Sequence, residues 1–155
     1  MVEDRDAGIV IRPLQASDEA DWHRLWAGYL EFYRQALSVE TTEATWRALI
    51  DQSRPEMIGR VAVVDGRVVG MLNAVLHPNT WSIAPVCYLE DLYVDAEHRG
   101  RGVGRALIEA LASEGRRAGW RRIYWRTADD NFTAQRLYDA LARRSRWVTY
   151  ELELN

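Results

Sequence analysis

The chain has 155 residues, of which 48% are hydrophobic and 28% charged, the balance of an ordinary globular domain. Its net charge of −3 argues against a nucleic-acid binder, and no apolar run approaches the ~18 residues that cross a membrane. The acidic N-terminus lacks the apolar core of a secretory signal, and the single cysteine, Cys87, excludes an internal disulfide framework. We therefore expect one cytoplasmic domain over residues 1–155, with a loose N-terminal arm at residues 1–8.

The first part of the chain predicts one strand and two helices. The strand covers residues 9–12. Ser17 or Asp18 can cap a helix whose apolar residues follow at helical spacing. A second helix is predicted to begin at Thr41 or Thr42. The residues expected to face inward from these helices are Trp22, Leu25, Trp26, Tyr29, Leu30, Tyr33, Trp46, Leu49 and Ile50.

The middle of the chain predicts three antiparallel strands. Residues 60–77 alternate between apolar and polar, and they are split by Asp65-Gly66, a strong signal for a type I′ hairpin turn. A turn-rich loop follows, and a further strand is predicted over residues 86–94.

The last part predicts helix, strand, helix and strand. A helix over residues 103–117 closes at Gly119, whose lack of a side chain suits a helix end. A buried strand over 123–126, a helix over 131–143 and a final alternating strand over 146–154 follow. This order predicts a mixed α/β sheet rather than an alternating doubly wound one.

A glycine-rich turn joins the strand at 86–94 to the helix at 103–117. The first N–H groups of a helix have no partner inside it, and the helix dipole is positive there, so such a turn is suited to an anion. Glycines let the backbone approach phosphates closely, and arginines add forked donors. These residues are Gly100, Gly102 and Gly104, with Arg99, Arg101 and Arg105.

Two common phosphate motifs do not fit this turn. A Walker A motif needs a lysine, and the chain has none, since all 20 of its Lys and Arg residues are arginine. A dinucleotide fingerprint needs Gly-x-Gly-x-x-Gly, but its last position is Arg105 when counted from Gly100 and Leu107 when counted from Gly102.

Arg99-x-x-Gly102-x-Gly104 resembles the Q/R-x-x-G-x-G/A pattern of the GNAT superfamily of N-acetyltransferases. The segment 89–94 precedes it, and the block 125–138 resembles the family's strand and N-x-x-A-x-x-x-Y helix. The chain looks most like spermidine/spermine acetyltransferases and bacterial relatives of the yeast histone and polyamine acetyltransferase. The resemblance implies a single-domain α+β fold with a mixed, mostly antiparallel sheet, a splayed parallel strand pair and flanking helices. The helix motif falls on Asn131, Ala134 and Tyr138.

The resemblance also implies acetyl-CoA as co-substrate, held without a metal. The backbone of the glycine turn would hold the pyrophosphate, the strand at 86–94 would pair with pantetheine, and the start of the last helix would contact the cofactor arm. An N-cap is the other role of Asn131, and the two roles are compatible. The implied cofactor-binding residues are Leu92, Tyr93, Val94, Arg99, Gly100, Arg101, Gly102, Val103, Gly104, Arg105, Asn131 and Ala134.

Three residues are candidates for proton transfer. Tyr138 matches the family's general acid, and a phenol near pKa ~10 can protonate a leaving thiolate of about 8.5; the alternative is a packed helix residue. Glu90 and Asp91 could accept the proton of an amine that is mostly protonated at neutral pH. Being adjacent, they face opposite sides of a regular strand unless a bulge intervenes. Glu90 is favoured over Asp91 or water.

The acceptor is expected to be a small primary amine, polyamine-like or amino-acid-like. Tyr29, Tyr33 and Trp81 could frame its cation, although packing is the other role of such aromatic residues. A protein lysine or N-terminus as acceptor, or a non-catalytic acyl-CoA sensor, is the alternative. No nucleic-acid or membrane partner is expected, and the aromatic content and the resemblance favour a homodimer.

Overall fold

The structure, a computed structural model, describes residues 8–155; apart from Gly8, the expected N-terminal arm lies outside the described residues. Five strands form one sheet in the order β1-β2-β3-β4-β5. Neighbouring strands run antiparallel except β4 and β5, which are parallel, so the predicted mixed sheet is confirmed. The strands are β1 (Ile9–Pro13), β2 (Met57–Val64), β3 (Arg67–His77), β4 (Val86–Val94) and β5 (Ile123–Tyr124), and the helices are α1 (Glu19–Phe32), α2 (Val39–Ile50), α3 (Val103–Ala118) and α4 (Phe132–Leu141).

The hairpin between β2 and β3 turns where the sequence predicts. Asp65 has φ 49° and Gly66 has φ 75°, and two successive positive φ angles are what a type I′ turn requires. The turn sets the register that pairs Val64 with Arg67 and places β3 at the centre of the sheet.

Helices cover both faces of the sheet. On one face α1 and α2 bury Trp22, Leu25 and Trp46 against Val61 and Met71 of the sheet. On the other face α3 buries apolar residues at helical spacing, and the core residues it contributes are Val103, Leu107, Ile108 and Leu111. Within the described residues, no helix is long and apolar enough to span a membrane.

The starts of α1 and α2 differ in detail from their predictions. Asp18 precedes α1 without capping it, because its carboxylate accepts two hydrogen bonds from Arg12 at 2.7 and 2.8 Å and one from the Gln15 backbone at 2.8 Å. The second helix begins at Val39, not at Thr41 or Thr42. The Ser38 hydroxyl accepts from the backbone N–H of Thr41 at 3.1 Å and so caps the helix earlier.

Three predictions for the last part of the chain are wrong in extent or kind. β5 contains only Ile123 and Tyr124 rather than 123–126, and α4 covers 132–141 rather than 131–143, with Asn131 as its N-cap. Residues 146–154 form neither strand nor helix. A strand needs a neighbour to satisfy its backbone groups, and among the described elements none pairs with this segment.

Candidate active site

The glycine turn opens α3 with free backbone donors. Gly100 has φ 74° and Gly102, the N-cap of α3, has φ 84°, conformations that favour glycine. No side chain of the described residues caps the helix start, so its first N–H groups point to an open position. A Cβ on Gly100 would meet no atom within 4 Å. The turn thus has the donors and the space that a pyrophosphate needs.

The arginines of the turn do not all point toward that position. The Arg99 Nε donates to the Val94 carbonyl at 3.1 Å, and its guanidinium lies 5.3 Å from the centre of the Tyr93 ring. Arg105 pairs with Glu109 at 3.0 Å, whereas Arg101 is exposed. Arg99 therefore fixes the turn against β4, and the backbone amides are left as the main anion donors.

The parallel strands β4 and β5 separate after their first residues. The glycine turn follows the end of β4 at which they have separated. β4 and β5 pair at only two positions, Cys87 with Ile123 and Tyr88 with Tyr124. Leu92 and Val94 continue β4 with β3 as their only strand neighbour among the described residues, so one edge of their backbone is unpaired. An unpaired strand edge can receive an extended group with amide donors and acceptors, such as pantetheine.

α4 follows β5 in the chain, and Asn131 stands at its start. The Asn131 carbonyl oxygen accepts from the Ala134 N–H at 3.4 Å, and its amide nitrogen donates to Thr127 Oγ1 at 3.2 Å. Asn131 is therefore the helix cap that the sequence predicts. A cofactor contact by Asn131 and Ala134 remains a prediction.

A β-bulge in β4 brings the two candidate carboxylates to one side. Asn73 is paired with Asp91 and Ala74 with Leu89, so Glu90 has no partner in the register. The bulge interrupts the alternation that would separate the two side chains. Burial, followed by the charges of Asp91 and Glu90, raises the pKa of Tyr29, so that phenol stays protonated.

Asp91 is held by a buried polar chain that motif reading does not single out. Asn73, only 3% exposed, donates its Nδ2 to Asp91 Oδ2 at 3.1 Å and accepts from the indole Nε1 of Trp22 at 3.3 Å. Burial raises the pKa of Asp91, and the hydrogen bond from Asn73 together with the nearby Tyr29 partly opposes that rise. A single asparagine within the apolar run of β3 is the feature of the sequence that could have indicated this contact.

Glu90 differs from Asp91 in its surroundings. Its side chain is more exposed, and the pKa of Glu90 is raised by partial burial and by Asp91, while Arg126 lowers it. Arg126 in turn donates its Nε to the Tyr88 hydroxyl at 2.9 Å. Sequence reasoning missed Arg126 and Tyr88 as neighbours of the carboxylates, because the contact joins β4 to the residues that follow β5, which are far apart in the chain.

Tyr138 lies on α4, where its ring packs against that of Trp125 with centres 5.4 Å apart. Burial, followed by the nearby Tyr33, raises the pKa of Tyr138 to about 12. Tyr33 packs on Tyr29 with ring centres 5.0 Å apart. Tyr33 therefore packs on Tyr29 and is also near enough to Tyr138 to influence its pKa.

Trp81 is the remaining sequence candidate for the acceptor site. It packs on Trp147 with ring centres 6.3 Å apart and on the Arg121 guanidinium at 5.9 Å, and it lines the same groove as Tyr138 and Arg126 rather than joining the ring contacts of Tyr29 and Tyr33. Cys87 is completely buried in β4, and burial raises the pKa of its thiol to about 12, which leaves it a poor nucleophile. Over residues 8–155, no cluster of three His, Cys, Asp or Glu could hold a metal ion.

Solved structures share this fold at low sequence identity. An aminoglycoside acetyltransferase, meta-AAC0020, from an uncultured soil metagenomic sample superimposes with a TM-score of 0.81 at 19% identity, covering 98% of this chain and 100% of that one. The aminoglycoside acetyltransferase AAC(6')-Iy, in complex with the bisubstrate analogue CoA-S-monomethyl-acetylneamine, gives a TM-score of 0.79 at 21% identity, covering 96% and 100%. At these identities the match establishes the fold.

Sequence comparisons show the family as well as the fold. The chain is 33% identical over 153 residues to the D-amino-acid N-acetyltransferase HPA3 of Saccharomyces cerevisiae, covering 97% of this chain and 92% of that protein. It is 28% identical over 128 residues to the thialysine N-epsilon-acetyltransferase of Caenorhabditis elegans, covering 79% and 78%. The model of the acetyltransferase (GNAT) family matches residues 21–142. Fold, glycine turn and sequence agree, and the chain belongs to the GNAT acetyltransferase family.

Proposed function

We propose that the protein is an acetyl-CoA-dependent N-acetyltransferase that acetylates the primary amine of a small amino-acid-like acceptor by direct attack in a ternary complex. The main support is the β-bulge at Glu90, beside which both carboxylates act on Tyr29, together with Tyr33, which packs on Tyr29 and influences the pKa of Tyr138. A base and an acid at one site are what amine acetylation from a thioester requires.

The residues present fit acetyl-CoA, which supplies the acetyl group as an activated thioester. The amides from Gly100 to Arg105 would hold the pyrophosphate at the start of α3. The free edge of β4 at Leu92 and Val94 would bind the pantetheine amides, since the side chains of those residues pack into the core and leave only backbone for this purpose. Tyr93 lies between them and would contribute less, because its backbone groups face β3 and its ring packs against Gly28.

The carboxylates would prepare the amine. An amine near pKa ~10 arrives as an ammonium ion, which Glu90 and Asp91 can bind by charge, and one of them takes its proton directly or through water. Their raised pKa values make them better proton acceptors than ordinary carboxylates. The amine nitrogen then attacks the acetyl carbonyl carbon, a C–N bond forms and the C–S bond breaks.

Tyr138 would complete the proton balance. Its hydroxyl proton passes to the sulfur that leaves as thiolate, and the phenol is restored from solvent. A pKa of about 12 keeps Tyr138 protonated throughout the useful pH range, although the transfer is less favourable than from an ordinary phenol. Tyr138 is therefore available as an acid at every useful pH, but the transfer of its proton to a thiolate of pKa near ~8.5 is energetically uphill.

Opposite charges on two sides of the site support an amino-acid-like acceptor. Arg126 is close enough to Glu90 to lower its pKa, so an ammonium at Glu90 and a carboxylate at Arg126 can belong to one zwitterion. Arg126 already binds a carboxylate, that of Glu151, at 2.9 Å. The similarity to a D-amino-acid N-acetyltransferase supports the same class.

The test is release of free CoA thiol from acetyl-CoA across matched acceptors. The panel contains D- and L-amino acids, the corresponding amino amides, polyamines, aminoglycosides and lysine peptides. We expect turnover with amino acids and a higher KM for the amides, which lack the carboxylate. Preferred turnover of peptides would replace this proposal with protein acetylation. Tight CoA binding without turnover of any acceptor would favour a sensor.

A further inference from the structure

Tyr88 lies at the point where β4 and β5 begin to separate. It pairs with Tyr124 in the second of the two register positions that join these strands. The two rings stack with their centres 4.8 Å apart and their planes at 28° to one another. Because stacked rings resist displacement, the position of the Tyr88 ring beside the gap between the strands is well defined.

Arg126 contacts Tyr88 from the chain beyond β5. Its Nε donates to the Tyr88 hydroxyl at 2.9 Å, and its guanidinium carbon lies 5.8 Å from the centre of the Tyr88 ring. A guanidinium carries its donors in one rigid plane, so a hydrogen bond to one nitrogen also orients the other two. With Nε bound to Tyr88, the edge formed by Nη1 and Nη2 is the one left for a carboxylate.

This edge of Arg126 already binds a carboxylate weakly. Glu151 Oε1 accepts from Nη1 at 2.9 Å, whereas Nη2 donates to no residue among 8–155. The side chains of Arg126 and Glu151 are 53% and 65% exposed, and exposed ion pairs contribute little to stability. A carboxylate that receives hydrogen bonds from both Nη1 and Nη2 has the better geometry and can replace Glu151.

The charges beside Arg126 distinguish between classes of amine. Arg126 is near enough to Glu90 to lower the pKa of that carboxyl group. An α-amino acid carries an ammonium and a carboxylate on one carbon, so it can meet Glu90 and Arg126 together. A diamine bound at Glu90 gains nothing from Arg126, and its second ammonium would be repelled by the guanidinium.

We propose that Tyr88 is a positioning residue that selects acceptors with a carboxylate, because its hydroxyl holds Arg126 with the edge of Nη1 and Nη2 free. The inference rests on the proposed function and concerns how the site distinguishes an amino acid from an amine that lacks the carboxylate. Tyr88 acts through Arg126 and not on the reacting atoms.

Steady-state kinetics with an amino acid and its amide test this role in the full chain. Tyr88→Phe keeps the ring and its stack on Tyr124 but removes the oxygen that accepts from Arg126 Nε. We expect kcat/KM for the amino acid to fall about tenfold relative to that for the amide, through KM and not kcat, because a hydrogen bond to a charged group is lost. The ratio of the two acceptors cancels changes in folding, in acetyl-CoA binding and in the base.

Tyr124→Phe is the matched control. It removes the hydroxyl of the other ring in the same stack, which is hydrogen-bonded to His77 Nε2 at 2.8 Å and not to Arg126. This variant should leave the ratio of amino acid to amide unchanged. An equal loss of the ratio in both variants would overturn the role of the Tyr88 hydroxyl, because the loss would then belong to the stack as a whole.

Arg126→Ala separates this inference from the proposed function. We expect it to lower the ratio at least as much as Tyr88→Phe does, and adding Tyr88→Phe to it should lower the ratio no further, since Tyr88 acts only through Arg126. A loss with Arg126→Ala but none with Tyr88→Phe would overturn the role of Tyr88 and leave the amino-acid acceptor standing. If the unsubstituted chain does not prefer the amino acid to its amide, the proposed acceptor fails first, and the role of Tyr88 fails with it.

Discussion

Asn73 donates a hydrogen bond to Asp91 at 3.1 Å and receives one from the Trp22 indole at 3.3 Å, so a residue of the hydrophobic core orients a carboxylate of the candidate active site. Trp22 is completely buried, which fixes the amide of Asn73 with its nitrogen toward Asp91. The hydrogen bond favours the charged form of Asp91 and opposes the effect of burial.

Asn73→Leu should therefore shift the acid limb of the pH profile of kcat/KM to higher pH. Without the donor, the pKa of Asp91 rises further, and a higher pH is needed to ionise it. Trp22→Phe keeps an aromatic ring but removes the indole donor, and it should give a smaller shift in the same direction. An unmoved acid limb in Asn73→Leu would exclude Asp91 as the group that must be ionised.

Tyr138→Phe should lower kcat by about 100-fold or more, because general acid catalysis typically contributes that much. The ring stays, so the edge contact with Trp125 and the affinity for CoA should change little. Stopped-flow or single-turnover measurement of thiol release isolates the chemical step. A single-turnover rate equal to that of the unsubstituted protein would assign Tyr138 to packing alone.

Gly102→Ala should weaken CoA binding by roughly tenfold and lower Tm, because a side chain at φ 84° adds strain of order 1–3 kcal/mol and the turn must shift to relieve it. Gly119→Ala is the matched control: it has φ 76° at the other end of the same helix, with no atom within 4 Å of the added Cβ. It should lower Tm comparably and leave the Kd for CoA unchanged. Isothermal titration with CoA separates the two effects, and equal Kd values for both variants would argue against this turn as the phosphate site.

Asp91→Asn should raise Tm at pH 7 to 8. The folded pKa of Asp91 is raised, so the folded state binds this proton more tightly than the unfolded state does. Ionising Asp91 therefore costs folding free energy once the pH exceeds the folded pKa, and the cost disappears below the unfolded value near 3.9. Thermal melts between pH 4 and 8 should show an advantage of the variant that grows with pH. Glu90→Gln, at a more exposed carboxylate, should give a smaller gain, and a pH-independent difference for Asp91→Asn would contradict the raised pKa.

Local signals in the sequence were sufficient for most of the fold. Asp65-Gly66 identified the hairpin, and Gly119 identified the end of α3, because each depends on the conformation of one or two residues. The glycine turn was equally local. Glu90 and Asp91 were recognised as candidates, but their relative direction depends on a bulge that is defined by pairing with β3, and no local pattern encodes it.

The remaining differences depend on contacts between distant parts of the chain. The sequence pattern at Trp125 and Arg126 is typical of a strand. β5 nevertheless ends at Tyr124, because β4, its parallel partner, diverges there. Residues 146–154 also have the alternating pattern of a strand, but no strand among residues 8–155 pairs with them. Periodicity reports which residues suit a strand, whereas pairing decides whether the strand forms.

The separation of β4 and β5 also makes the molecule unequal in local stability. Two register pairs connect β5 to the rest of the sheet, and none of the residues of α4 is fully buried. Opening this part should therefore cost less free energy than unfolding the core strands β2 and β3, whose amides lie among buried apolar residues. A cofactor bound between β4 and the start of α4 would contact both parts and bind only their closed arrangement. Each binding event would then stabilise α4 against local unfolding, coupling the order of this helix to the occupancy of the site.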